Sequence, residues 1–188
     1  VEPTLSECRP PWVVVTRADD PWVATELATL RDQGGRVVRL AGRQLHTPSS
    51  LFTVFARELS FPGYFGHNWD ALVDCLHDRH GHETAGQGLA VLIEDGDCLA
   101  QADFLGVFFS VLCQAGWKAN LELDADGIPH EDWPPFPLHF VFLLSDIAPS
   151  GFAEGAASGT DVDAALVDGR LVATLSGPDW PGSAPVTP

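Results

Sequence analysis

Residues 61–78 read FPGYFGHNWDALVDCLHD. Pro62, Gly63 and Gly66 make the first half a tight loop. From His67 or Asn68 onward, Trp69, Leu72, Val73 and Leu76 recur at helical spacing, so the second half reads as an amphipathic helix. The same spacing sets Asp70, Asp74 and Asp78 at i, i+4 and i+8, along one stripe off the apolar face. Like charges placed so repel by roughly 0.2–0.5 kcal/mol per pair. Asp74 and Asp78 also lie toward the negative end of the helix dipole, where acids are disfavoured. A helix that gives up stability in this way is expected to turn that stripe to water or to a partner.

Upstream, TPSSLFTVFARELS reads as a helix opening on Thr47 or Ser49, with Leu51, Val54, Phe55 and Leu59 on one face. Before it, PPWVVVTR and RVVRLAG read as strands. They flank a helix that Asp19 or Asp20 can cap, with Pro21 at its first position and Gly34 at its end. This N-terminal βαβ unit favours a parallel pair of strands. Downstream, LAVLIED and PLHFVFLLSD are strands apolar almost throughout, as in a sheet covered on both faces. Between them ADFLGVFFSVLCQAG reads as an apolar helix stopping at Gly116, and about 118–136 reads as an inserted loop rich in Pro and acid. The order β-α-β-α-α-β-α-β predicts an α/β sandwich on a small, mainly parallel sheet of three or four strands flanked by helices. We divide the chain into a domain over 1–148, with its core at about 35–146, and an extension over 149–188. The extension holds a possible hairpin at 164–175, turning at Asp168-Gly169, and is expected to be flexible elsewhere.

Composition narrows the function. Of 188 residues, 45% are apolar and 19% charged, which suits a globular core. No apolar run reaches the roughly 18–20 residues that span a bilayer, and the first twenty residues lack the pattern of a secretory signal; the expectation is a cytoplasmic protein with no membrane contact. The net charge of −16 argues against nucleic acid as a ligand and suits fast capture of a basic partner. Cys8, Cys75, Cys98 and Cys113 form no CxxC pair and match no zinc module; Cys75 and Cys113 fall on apolar helix faces and read as buried thiols. His77, His80 and His82 lie in HDRHGH beside Asp74 and Asp78, which leaves an Asp/His metal-dependent enzyme open on residue types alone. No HExxH frame, P-loop, GxGxxG or GxSxG supports it, and no metal, cofactor or catalytic residue is expected.

From about Arg39 to Leu76, the pieces GRQLHTPSSLF, the helix ending in EL, FPGYFG and GxNxDALxDCL together resemble the barstar family of intracellular inhibitors of the ribonuclease barnase. The resemblance weakens after Leu76, and the first ~33 residues, the insert and the tail have no counterpart in it. It implies a barstar-like α/β fold with an added N-terminal βα unit. It also implies a bacterial immunity protein, or antitoxin, that occludes the active site of a basic ribonuclease or toxin nuclease without turnover. By matching positions, Asp70 and Asp74 are the acids that enter the nuclease. Tyr64, Phe65, Gly66 and Asn68 belong to the preceding loop and helix start, and Trp69, His77 and Asp78 flank the acids. Two features depart from the pattern: Val73 stands where the family prototype has Trp, and aligning on Gly116 puts Val111 where its last helix supplies a carboxylate. A barstar-like fold reused as an interaction module with no nuclease target is the alternative. The oligomeric state is not specified by the sequence.

Overall fold

The two most apolar runs lie side by side. Leu89–Glu94 and Leu138–Leu144 pair as parallel strands in the interior of a sheet, where nearly every side chain is buried. The computed structural model describes residues 2–78, 87–121, 128 and 134–183. In chain order its elements are β1 (Val13–Arg17), α1 (Pro21–Asp32), β2 (Arg36–Ala41), α2 (Pro48–Glu58), α3 (Trp69–Asp78), β3 (Leu89–Glu94), α4 (Leu105–Leu121), β4 (Leu138–Leu144), α5 (Ala153–Ala157), β5 (Val162–Val167) and β6 (Arg170–Leu175). Among the described residues no helix is long and apolar enough to cross a membrane.

The strand order is β2-β3-β4-β1-β6-β5. The four strands β2, β3, β4 and β1 run parallel, and the β5–β6 hairpin adds two antiparallel strands beside β1. The sheet therefore has six strands rather than three or four. β1 and β2 are not the neighbouring pair that the N-terminal βαβ pattern favours: β1 sits between β4 and β6, and β2 is an edge. A crossover helix constrains direction but not how many strands it passes. Nor do residues 149–183 stand apart from the domain. Leu171, Ala173 and Leu175 of β6 are buried in the same core as α2, α3 and α4. Trp180 packs edge-on against Trp117 of α4 at 5.0 Å, and the Trp117 Nε1–H donates to the Pro181 carbonyl.

The period-2 alternation of the strands sorts side chains between two layers. Val14, Ala90, Leu92, Val141, Leu143 and Val172 meet α1 through Trp22, Val23, Leu27 and Leu30. The opposite face meets α2, α3, α4 and α5 in a larger core rich in phenylalanine. Helix starts follow local chemistry. Asp20 caps α1 by accepting from the Trp22 N–H, with Pro21 at N1. Thr47 and Ser50 form a reciprocal capping box on α2.

α4 corrects a second expectation. Gly116 does not end it; the helix continues to Leu121. A Cβ at Gly116 would stand 2.8 Å from the Trp12 Cβ, so glycine is there to let α4 approach β1's entry. The buried Asn120 amide then donates to the carbonyls of Gly116 and Leu138, tying the added turn to β4. Residues 118–121 of the expected insert are thus helix, and most of the remainder lies outside the described residues.

The hairpin is locked to α1 by charge. Arg170 donates through Nε and Nη2 to the Asp20 carboxylate at 2.6 and 3.0 Å and lies 5.1 Å over the Trp22 ring. Both side chains are nearly buried, at 12% and 14% exposed. The Arg170 contact outweighs burial and, with Thr16 and the Trp22 N–H, holds Asp20 down at about 2. A carboxyl depressed in the folded state contributes stability that is present above its unfolded pKa and lost as pH falls through the folded one. Asp20 is therefore expected to contribute roughly 2 kcal/mol at neutral pH that disappears between about pH 4 and 2. Burial also pushes down His139, whose ring nitrogens face the Pro11 and Glu7 carbonyls. For a histidine lowered in this way, the unfolded chain takes up the proton first, so stability falls as pH drops below about 6.5. Thermal melts across pH 7 to 2 should show both declines. Asp20→Asn should reduce the lower one, to which Asp97, held down despite partial burial by the backbone N–H groups of Ser145, Asp146 and Ile147, also contributes.

Candidate functional site

Ser60 takes the left-handed conformation just past α2 (φ 52°) and turns the chain back on itself. The Phe61 N–H donates to the Ala56 carbonyl, and the Phe65 N–H to the Pro62 carbonyl at 3.0 Å. The loop is pinned from below by Phe65. That ring is buried, edge-on to Phe61 at 5.0 Å and to Phe52 at 6.3 Å, with His67 at 4.7 Å. Phe65, expected as a contact residue, is an anchor instead. Its neighbour Tyr64 is 82% exposed.

α3 begins on Asn68. Its Oδ1 accepts from the Ala71 N–H at 2.8 Å, the bond of an N-cap. The Asn68 amide also lies 3.3 Å from the Gly66 carbonyl. A Cβ on Gly66 would come within 3.0 Å of that amide, so glycine gives the cap its room. His67 supplies the reversal before the cap at φ 49°, its Nδ1 at 2.9 Å from the Phe65 carbonyl. Leu72, Val73, Cys75 and Leu76 are buried. Trp69 is only partly buried, but its ring stands edge-on to Phe52 at 4.8 Å and beside Phe104 and Phe108. Like Phe65, it serves as scaffold, orienting α3 on α2 and α4.

Asp70, Asp74 and Asp78 are exposed, in one row, off the packed face. Asp74 and Asp78 form a groove of about 150 Å³ with Tyr64, Pro62, Ser60 and Cys75, between the loop and the helix. His77 is half-buried. Its Nε2 is 3.7 Å from Asp78 Oδ1, and its Nδ1 has no hydrogen-bond partner among the described residues. Burial pushes its pKa down, against the pull of Asp78. Burial pushes the Cys75 thiol up, helped by Asp74 and Asp78, which favours the thiol over the thiolate. Val111 is buried. The α4 side chain that reaches the acid row is Lys118, whose Nζ lies 3.5 Å from Asp74 Oδ1. Ending the helix at Gly116 had hidden it in the loop.

His80 and His82 lie outside the described residues. Among the described residues, no group of three His, Cys, Asp or Glu could hold a metal ion.

The segment that builds this loop and helix, together with β2, α2, β3 and α4, is what a family model covers: Barstar (barnase inhibitor) matches residues 35–125. Residues 35–125 are a barstar-family segment. It spans just under half of the 188 residues. Barstar is a family of inhibitors, not of enzymes. In this chain the barstar segment supplies two of the six strands. β1, β4 and the hairpin complete the sheet from outside it. None of the curated proteins matches the chain.

Proposed function

We propose that this protein is an inhibitor of a basic ribonuclease, or a related toxin nuclease, acting in the bacterial cytoplasm as an immunity protein. Tyr64 and the α3 carboxylates enter the catalytic cleft and close it to RNA. One observation carries the reading: Tyr64, 82% exposed, shares a single groove on the barstar segment with the exposed carboxylates Asp74 and Asp78, while Asp70, the expected second acid, is exposed one turn earlier in the same row and does not line that groove. A nuclease must present cations to the scissile phosphate. A carboxylate held at that spot accepts the same charge-assisted hydrogen bonds from Arg, Lys or protonated His. The chain's −16 charge would speed the encounter with such a cleft. No group here needs to turn over; occlusion is the whole chemistry.

The test is a pull-down from the native organism with wild type and Asp74→Ala as paired baits. A small basic ribonuclease retained by wild type and released by the variant is expected. Equal retention on both baits would overturn the assignment of Asp74. Tyr64→Ala supplies a second measurement. Truncating an exposed ring should leave the melting temperature unchanged, yet weaken calorimetric affinity for the captured nuclease by about 1–2 kcal/mol, as for aromatic anchors generally.

A further inference from the structure

Lys118 is the only lysine in the chain. It reaches Asp74 from α4, with Nζ 3.5 Å from Oδ1. Its side chain is 29% exposed against 67% for Asp74, so the ammonium comes from the protein side and most of the carboxylate stays open. The other basic side chain in the cluster, His77, carries little charge at neutral pH. Burial lowers its pKa first; Asp78 and Asp74 oppose that, and Lys118 adds to it. Among the described residues, Lys118 is thus the permanent cation set against the acid row.

Resting on the inhibitor reading above, we propose that Lys118 is a specificity residue. It holds one side of Asp74 in the free protein and remains as a cation within the complex, weakening capture of clefts lined by cations alone. Two cations that share one carboxylate, each in ion-pair range, stand within roughly 8 Å of each other. That is inside the Debye length of about 8–10 Å, so salt does not remove their repulsion. Expelling water from the interface strengthens it further. In the free protein the same lysine contributes little, because exposed pairs are worth little. Its effect therefore appears on binding and not on folding. The pattern of two acids and one retained cation is a repulsive element of the kind that separates related partners.

The experiment uses the full chain with barnase as the probe, in wild type, Lys118→Met and Lys118→Arg forms. Lys118→Met keeps the aliphatic stem and removes the charge; Lys118→Arg keeps the charge. Expected are melting temperatures alike in all three. Lys118→Met should bind barnase about tenfold tighter than wild type, with a steeper loss of association rate as salt rises. Lys118→Arg should match wild type. Equal affinity in all three, or weaker binding by Lys118→Met, would overturn the role of Lys118 and leave the inhibitor reading standing. Absence of binding by all three, to barnase and to any nuclease captured by the wild-type bait, would overturn both.

Discussion

Asp74→Ala is expected to weaken binding to the captured ribonuclease by about 2–5 kcal/mol, roughly 30- to 4,000-fold, with almost no change in stability. The two halves of that expectation have separate physical grounds. In the free protein Asp74 is two-thirds exposed, and the contact that holds it is the 3.5 Å approach of Lys118. Such a pair contributes less than about 1 kcal/mol. Removing the acid also relieves its repulsion with Asp70 and Asp78, by roughly 0.2–0.5 kcal/mol per pair. The terms nearly cancel, so the melting temperature should hold. In the proposed complex the carboxylate would be dehydrated among cations, and deleting it would leave those cations buried and unpaired. Close charge pairs at the barnase–barstar interface couple by about 1.5–7 kcal/mol, a range that belongs to that complex and is not obtained from this protein. Calorimetry or inhibition titration measures the loss. An affinity within a few fold of wild type would place the anchor elsewhere on the surface.

Phe108→Ala is expected to destabilise the protein by about 3–5 kcal/mol, read as a lower denaturation midpoint in urea. Phe108 is fully buried in the larger core. Its ring meets Phe55 of α2 edge-on at 5.9 Å, Trp69 of α3 at 6.2 Å and Phe142 of β4 at 5.8 Å. It is therefore the side chain through which three elements are held at one distance from α4. Truncation opens a cavity the size of a benzene ring, and two of these neighbours are already engaged with other rings, Trp69 with Phe52 and Phe104 and Phe142 with Phe109 and Phe152, which limits collapse into the space. Inhibition should weaken as well, because Trp69 loses one of the rings that orient α3. A midpoint shift equivalent to less than about 1 kcal/mol would mean that the aromatic cluster is not the joint described here.

Much of the fold is readable from single stretches. The apolar run at 89–93 and the nearly apolar one at 138–144 announce strands buried on both faces, and both are adjacent interior strands. Asp20-Pro21 and Thr47-Pro48 announce helix starts, and both are caps. What escapes such reading is anything decided by a remote neighbour. Gly116 is one case. A glycine after a helical run signals a stop when it takes a left-handed conformation, and a close approach when it faces a bulky side chain, and both have the same sequence appearance. Trp12, more than a hundred residues earlier, decides for the second. The place of β1 between β4 and β6 is another, since nothing local to β1 encodes its neighbours.

The candidate site divides along the same line. The exposure of Asp70, Asp74 and Asp78 follows from helical phase alone. Aromatic residues do not reveal their direction in this way. In the consecutive loop residues Tyr64 and Phe65 the hydroxyl-bearing ring faces out and the other is buried, whereas Trp69, within the helix, turns to Phe52 on the apolar face its spacing gives it. Lys118, the sole lysine of the sequence, is not legible as a helix residue when Gly116 is read as the stop.

The central claim is that the acidic face of α3 occupies the place of RNA in a ribonuclease cleft. Steady-state cleavage by the captured ribonuclease, at several RNA concentrations and several concentrations of this protein, tests it most directly. The account predicts competitive inhibition, with an apparent inhibition constant that rises in proportion to RNA concentration and a maximal rate that is unchanged. Inhibition that lowers the maximal rate and is indifferent to RNA concentration would contradict it.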